Sequence, residues 1–172
     1  MATDATRAGM SMPLPSVAAL GEYRRRLAAR PSAAKTVHVC LTTGCRAGGA
    51  EGVKAAFERT LAETGLGDTV WVRETGCRGF CARGPVVIIE PEGIFYQMVE
   101  PGDVPDIVQR TIVGGEIVSR LSYTDTLGAA CVRLADVPFF RGQDRVVLRN
   151  CGEIDPTDID AYIVRDGYAA LA

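Results

Sequence analysis

The sequence predicts an α/β fold, a mixed sheet flanked by helices, followed by a short, truncated α/β segment. Three observations carry this expectation. Val37, Val39 and Leu41 alternate as a strand does, and the next apolar residues, Val53, Ala56, Phe57 and Leu61, fall at helical spacing. A second strand pattern, "DTVWVRE", completes a β-α-β order, which places two parallel strands side by side. "PVVIIE" then runs apolar without alternation, as a strand buried on both faces does, and the turn "PEG" leads to its hairpin partner "IFYQMV".

The elements follow in order. Residues 1–15 are small, polar and interrupted by Pro13 and Pro15, and read as disordered. Over 16–35 an N-terminal helix is expected, capped by Ser16. Val17, Leu20, Tyr23 and Leu27 share its apolar face, and Arg24, Arg25 and Arg26 read as a solvated face rather than a contact to a partner or membrane. The main domain is expected over 36–121. After the first strand the chain enters a loop at Thr42. The helix in "GGAEGVKAAFERTLAETG" ends at Gly65, and a second helix in "PGDVPDIVQRTIVGG" is expected to be capped by Asp103 and closed by Gly114. Residues 122–137 look like a linker. From 138 a new unit is expected, with "RVVLRN" as a short strand and a helix in "DPTDIDAYIVRDG" capped by Asp155 with Pro156 at its first position. "YAALA" begins another helix too short to stand alone, so the chain is expected to be a piece of a longer one.

Composition limits the function. Net charge is −2 over 172 residues, with no basic stripe, which argues against a nucleic-acid partner. No run of 18 apolar residues is present, so no membrane span is expected, and the N-terminus has no secretory pattern. The expected place is the cytoplasm, free or peripheral to a membrane complex. Thiols stay reduced there, so six cysteines point to metal or catalysis before disulfides.

Four of the six form a pattern. Cys40 and Cys45 are separated by four residues, Cys77 and Cys81 by three, and 31 residues lie between the pairs. Each pair follows a strand of the crossover, so both emerge at one end of the sheet. Four thiolates suit zinc or an iron–sulfur cluster. Neither pair is the tight C-x2-C knuckle that most zinc sites use. The wider spacing favours a [2Fe–2S] cluster, with zinc left open. Gly44, Gly76, Gly79 and Gly84 would let backbone N–H groups approach the sulfurs, and Arg46, Arg78 and Arg83 would place positive charge near an anionic centre. His38 is the sole histidine and reads as a packed strand residue rather than a base. Cys131 and Cys151 sit singly and read as structural.

"CLTTGC" and "CRGFCARGPVVIIEPEGIFYQMVEPGDVPDIV" together resemble the thioredoxin-like [2Fe–2S] ferredoxin module, over about residues 36–121. The resemblance implies a thioredoxin-like domain with Cys40, Cys45, Cys77 and Cys81 as ligands of a [2Fe–2S] cluster that transfers single electrons. "PFFRGQDRVVLRNCGEIDPTDIDAYIVRDGYAALA" is similar to the opening of the NADH-binding flavoprotein subunit of complex I, NAD-reducing or electron-bifurcating hydrogenases and NAD-dependent formate dehydrogenases. That likeness implies partners among the subunits and iron–sulfur carriers of an NADH-linked complex. It reads 138–172 as the incomplete beginning of a flavoprotein domain, with FMN, NAD and a [4Fe–4S] cluster in the remainder of a longer parent. No G-x-G-x-x-G occurs in these residues, so no flavin or nicotinamide chemistry can be assigned to them, and no catalytic residue is expected. The alternatives are a stand-alone ferredoxin-like carrier and a four-cysteine zinc interaction domain.

Overall fold

The computed structural model describes residues 14–31 and 33–171, so the expected disorder over 1–15 falls almost wholly outside them. The chain divides into two compact units. One comprises residues 33–156; the other joins the N-terminal stretch to residues from 157 onward.

The larger unit is built on a four-stranded sheet of order β2-β1-β3-β4, from β1 (Lys35–Cys40), β2 (Val70–Thr75), β3 (Val87–Glu90) and β4 (Ile94–Tyr96). β1 and β2 are parallel, joined through helix α3 (Ala50–Glu63), while β3 runs antiparallel to β1 and β4 to β3, the mixed sheet the sequence predicts. Val53, Ala56, Phe57 and Leu61 of α3 are all buried, and Gly65 takes a positive φ of 70° just past the helix end. Helix α4 (Val104–Asp106) also packs on α3. A 3-10 turn, Pro101–Asp103, precedes it and a π-helical stretch, Ile107–Val113, extends it. Asp103 stands at the N-cap position of α4, as expected, but its side chain caps no N–H of that helix. It accepts the backbone N–H of Glu100 at 2.8 Å instead, because Glu100 is the N-cap of the 3-10 turn that comes first.

Register divides the sheet into two faces. Val37 aligns with Ile89 and Ile94, and Val39 with Val87 and Tyr96, forming the side from which Tyr96 reaches the helical stretch. Tyr96 is fully buried; its hydroxyl lies 2.6 Å from Thr111 Oγ1 and accepts the Val118 N–H at 3.0 Å. Tyr96→Phe should therefore destabilise by about 1–3 kcal/mol in denaturant unfolding, since it leaves two buried groups unpaired. An unchanged midpoint would contradict this account.

The second face carries the row His38, Ile88, Phe95. The residues that cover it were expected to be a linker and a separate domain. Tyr123–Thr124 (β5) and Ala130–Cys131 (β6) pair as a small hairpin, Phe95 N–H donates to the Val132 carbonyl at 2.8 Å, and Val137 is fully buried. Phe140, from the turn of helix α5 (Pro138–Arg141), packs on Phe95 with ring centroids 5.9 Å apart. Residues 122–137 are thus part of the core layer, which explains why β3 is buried on both sides. "RVVLRN" forms turns rather than a strand. It pairs with no strand among the described residues, and Val146, Val147 and Leu148 stay 70%, 92% and 60% exposed. The segment after 138 therefore has no β component among the described residues.

In the smaller unit, α1 (Val17–Ala28) is capped by Ser16, whose hydroxyl accepts the Ala19 N–H, and packs against α6 (Ile159–Val164). Tyr23, Leu27 and Ile163 are buried together, and Tyr23 donates to Asp160 at 2.7 Å. Two expectations change here. The helix starts at the Asp158 cap, which accepts the Asp160 N–H, rather than at Asp155. Arg24 is no solvated residue: its guanidinium donates to the carbonyls of Ile163 and Gly167, the free acceptors past a helix end. Among the described residues, no helix is long and apolar enough to cross a membrane.

Candidate metal centre

The parallel crossover delivers both cysteine pairs to one end of the sheet. Cys40 closes β1, anchored by its own N–H to the Val86 carbonyl and by the Leu41 N–H to the Thr75 carbonyl, each at 3.2 Å. Cys45 lies on a short helix, α2 (Thr43–Ala47), where the sequence suggested a loop. Cys77 follows β2. Cys81 opens the 3-10 turn Cys81–Arg83. Cys40 and Cys45 are buried, Cys77 is half-buried and Cys81 is exposed, so one pair lies inside and the other at the surface.

In the outer pair the thiols are in contact, with Cys77 Sγ and Cys81 Sγ 3.5 Å apart. In the inner pair each thiol shifts the other: Cys45 lowers the Cys40 pKa, and Cys40 raises that of Cys45. Thr42 and the Arg78 backbone N–H also favour the Cys40 thiolate. Cys81 is raised by its contact with Cys77.

Glycines bring the two pairs together, and mostly by lacking a side chain. A Cβ at Gly44 would lie 3.2 Å from Cys81 Cβ, and one at Gly84 only 2.8 Å from Cys45 Sγ. Each ligand loop thus presses a glycine against a cysteine of the other. Gly76 lies against the backbone of Cys151 and Gly152, where a Cβ would make only ordinary contact at 3.7–3.8 Å. Gly79, at φ 92°, supplies the expected amide: its N–H donates to Cys77 Sγ at 3.2 Å.

The donor set fits a two-iron cluster. Two thiol pairs across a glycine-lined seam suit a cluster that takes two thiolates on each of two irons. Cys131 is buried in β6 away from this seam, where burial raises its pKa. Cys151 is half-buried, with its backbone against Gly76.

The three arginines separate. Arg46 pairs with Glu51 at 3.3 Å and Arg83 lies over the Tyr123 ring, both exposed. Arg78 is buried, bound to Glu153 and to the Gly152 carbonyl. His38 is buried with its pKa lowered, first by burial and then by Arg78. Sequence reasoning missed Gly152 and Glu153; the only signal was an acidic residue beside a glycine in a stretch thought to belong elsewhere.

Parts of the chain are similar to known proteins. A [2Fe-2S] ferredoxin of Clostridium pasteurianum is 35% identical over 94 residues, covering 49% of this chain and 92% of its own. One from Aquifex aeolicus is 39% identical over 74 residues, covering 43% and 67%. A crystal structure of the wild-type thioredoxin-like [2Fe-2S] ferredoxin from Aquifex aeolicus, 33% identical, aligns over 55% of this chain and 100% of that one with a TM-score of 0.49. The profile of one family spans residues 3–111, more than half of the sequence. On that match the chain belongs to the thioredoxin-like [2Fe-2S] ferredoxins, electron carriers built around a [2Fe-2S] cluster.

Proposed function

We propose that Cys40, Cys45, Cys77 and Cys81 hold the cluster, one pair to each iron, and that the chain works as the N-terminal part of a flavoprotein subunit in an NADH-linked oxidoreductase. The observation that carries the ligand assignment is the seam itself: two cysteine pairs at one end of the sheet, interlocked through the approach of Gly44 to Cys81 and of Gly84 to Cys45. The bound cluster supplies reversible one-electron transfer. The residues supply the rest. Burial of Cys40 and Cys45 keeps water from the inner pair, while exposed Cys81 marks the edge at which a redox partner can approach. The likeness of residues 138–172 to the opening of NADH-binding flavoprotein subunits supports the second half of the proposal.

Two experiments test the two halves. Cys77→Ser should lose most of the iron and the EPR signal of the reduced cluster, whereas Cys131→Ser should retain both. Equal loss from the two would overturn the assignment. Purified anaerobically from its native cells, the chain should migrate with FMN and show cluster reduction on adding NADH. A lone carrier indifferent to NADH would favour the stand-alone reading.

A further inference from the structure

Residues 138–156 lie beyond the family match, yet they belong to the same compact unit as the cysteines. Their polar contacts concentrate on the loop between Cys77 and Cys81. Arg78 Nη2 donates to the Gly152 carbonyl at 2.6 Å, and Arg78 Nη1 pairs with Glu153 Oε1 at 2.8 Å. Arg145 Nη2 donates to the carbonyl of Arg78 itself at 2.7 Å. Phe139 and Phe140 pack on Phe80 with centroids at 5.0 and 5.4 Å. The loop is therefore gripped at both its side chains and its backbone.

Gly152 makes the grip possible. It takes φ +83°, and a Cβ there would lie 2.2 Å from Arg78 Cγ and 2.5 Å from Nε. The arginine fills the space that any other residue at 152 would occupy. Its side chain is only 6% exposed; Glu153 and the Gly152 carbonyl hold Nη1 and Nη2, while Nε makes no hydrogen bond.

We propose that residues 145–153 form a clamp in which Gly152 and Glu153 hold Arg78, making Arg78 a positioning residue for Cys77. The proposal rests on Cys77 being a cluster ligand. The Arg78 guanidinium, carried by the residue that follows Cys77, favours the additional negative charge that reduction brings, and its partners hold the loop on its course. The family module thereby acquires a setting of its potential from residues outside the module.

The test uses the full chain as Gly152→Ala, Arg78→Met, the double variant, Glu153→Gln and Cys77→Ser. In the iron-free protein, Gly152→Ala should speed amide exchange over residues 76–80 about tenfold. In the loaded protein it should lower the one-electron reduction equilibrium about tenfold, which corresponds to about 59 mV. Against an Arg78→Met background it should add nothing to either readout, since its effect passes through Arg78. Additive effects, or no change from Gly152→Ala, overturn the clamp. Should Gly152→Ala fail to fold, Glu153→Gln takes its place; unchanged exchange over 76–80 then rejects the proposal. Full iron retention in Cys77→Ser would sink the ligand assignment instead, and the exchange measurement still reports on the clamp.

Discussion

Gly84→Ala is expected to abolish cluster assembly while leaving the protein folded. Gly84 has φ −74° and ψ 159°, a conformation alanine adopts without strain, so the backbone is not the obstacle. The obstacle is the sulfur. The new Cβ would stand 2.8 Å from Cys45 Sγ, 3.4 Å from the Cys81 carbonyl oxygen and 3.5 Å from Cys45 Cα. Cys45 is 1% exposed, so its thiol cannot swing aside into solvent. It must leave its place facing Cys40, and the inner pair is lost. The expected result is at least tenfold less iron per chain after anaerobic reconstitution, with a melting temperature within about 3 °C of the parent, a shift that corresponds to about 1 kcal/mol. Gly93→Ala is the matched control. Its φ of 67° makes alanine costly by about 1 kcal/mol, but nothing lies within 4 Å of its Cβ, and iron binding should be unaffected. Full iron loading of Gly84→Ala would show that the seam is not where the cluster sits.

What the sequence disclosed follows from the range of the interactions. The crossover was legible because Val37, Val39, Val53, Phe57 and the "PVVIIE" run announce themselves by local periodicity, and parallel topology then places both cysteine pairs at one end. Helix limits were less legible where several caps compete: Glu100 stands beside Asp103, and Asp158 beside Asp155, and tertiary packing selects between them. The function of residues 122–153 was hidden for a different reason. Their apolar residues show no period, because they cover a sheet as single anchors, Cys131, Val137 and Phe140, instead of forming a face of their own. "RVVLRN" carries strand composition without a strand to pair with. Composition favours a strand only where a ladder is available to it. Arg78 was read as a charge near the cysteines, but its burial depends on Glu153, 75 residues away, which no local pattern reveals.

Phe95→Ala should be the most destabilising single change in the larger unit, at about 3–5 kcal/mol in denaturant unfolding. Phe95 is fully buried on β4, beside Ile88, with the Phe80 and Phe140 rings both 5.9 Å from its own. Truncation leaves a cavity that three separate elements border, and none can close it alone. β4 is pinned by its pairing with β3, Phe140 by the turn of α5, and Phe80 by the cysteine loop. Phe95→Leu refills most of the volume and should lose only about 1–1.5 kcal/mol. The two variants together distinguish a packed layer from a loose cover, because a loose cover would collapse onto either side chain at similar small cost. Phe80 precedes Cys81 directly, so the cavity also frees the outer ligand loop: Phe95→Ala should release iron faster on exposure to a chelator than Phe95→Leu. Unfolding of Phe95→Ala within 1 kcal/mol of the parent would mean that residues 138–141 merely rest on the sheet. A large loss would mean that the segment beyond the family match completes the core, and that the cysteine loop owes part of its rigidity to it.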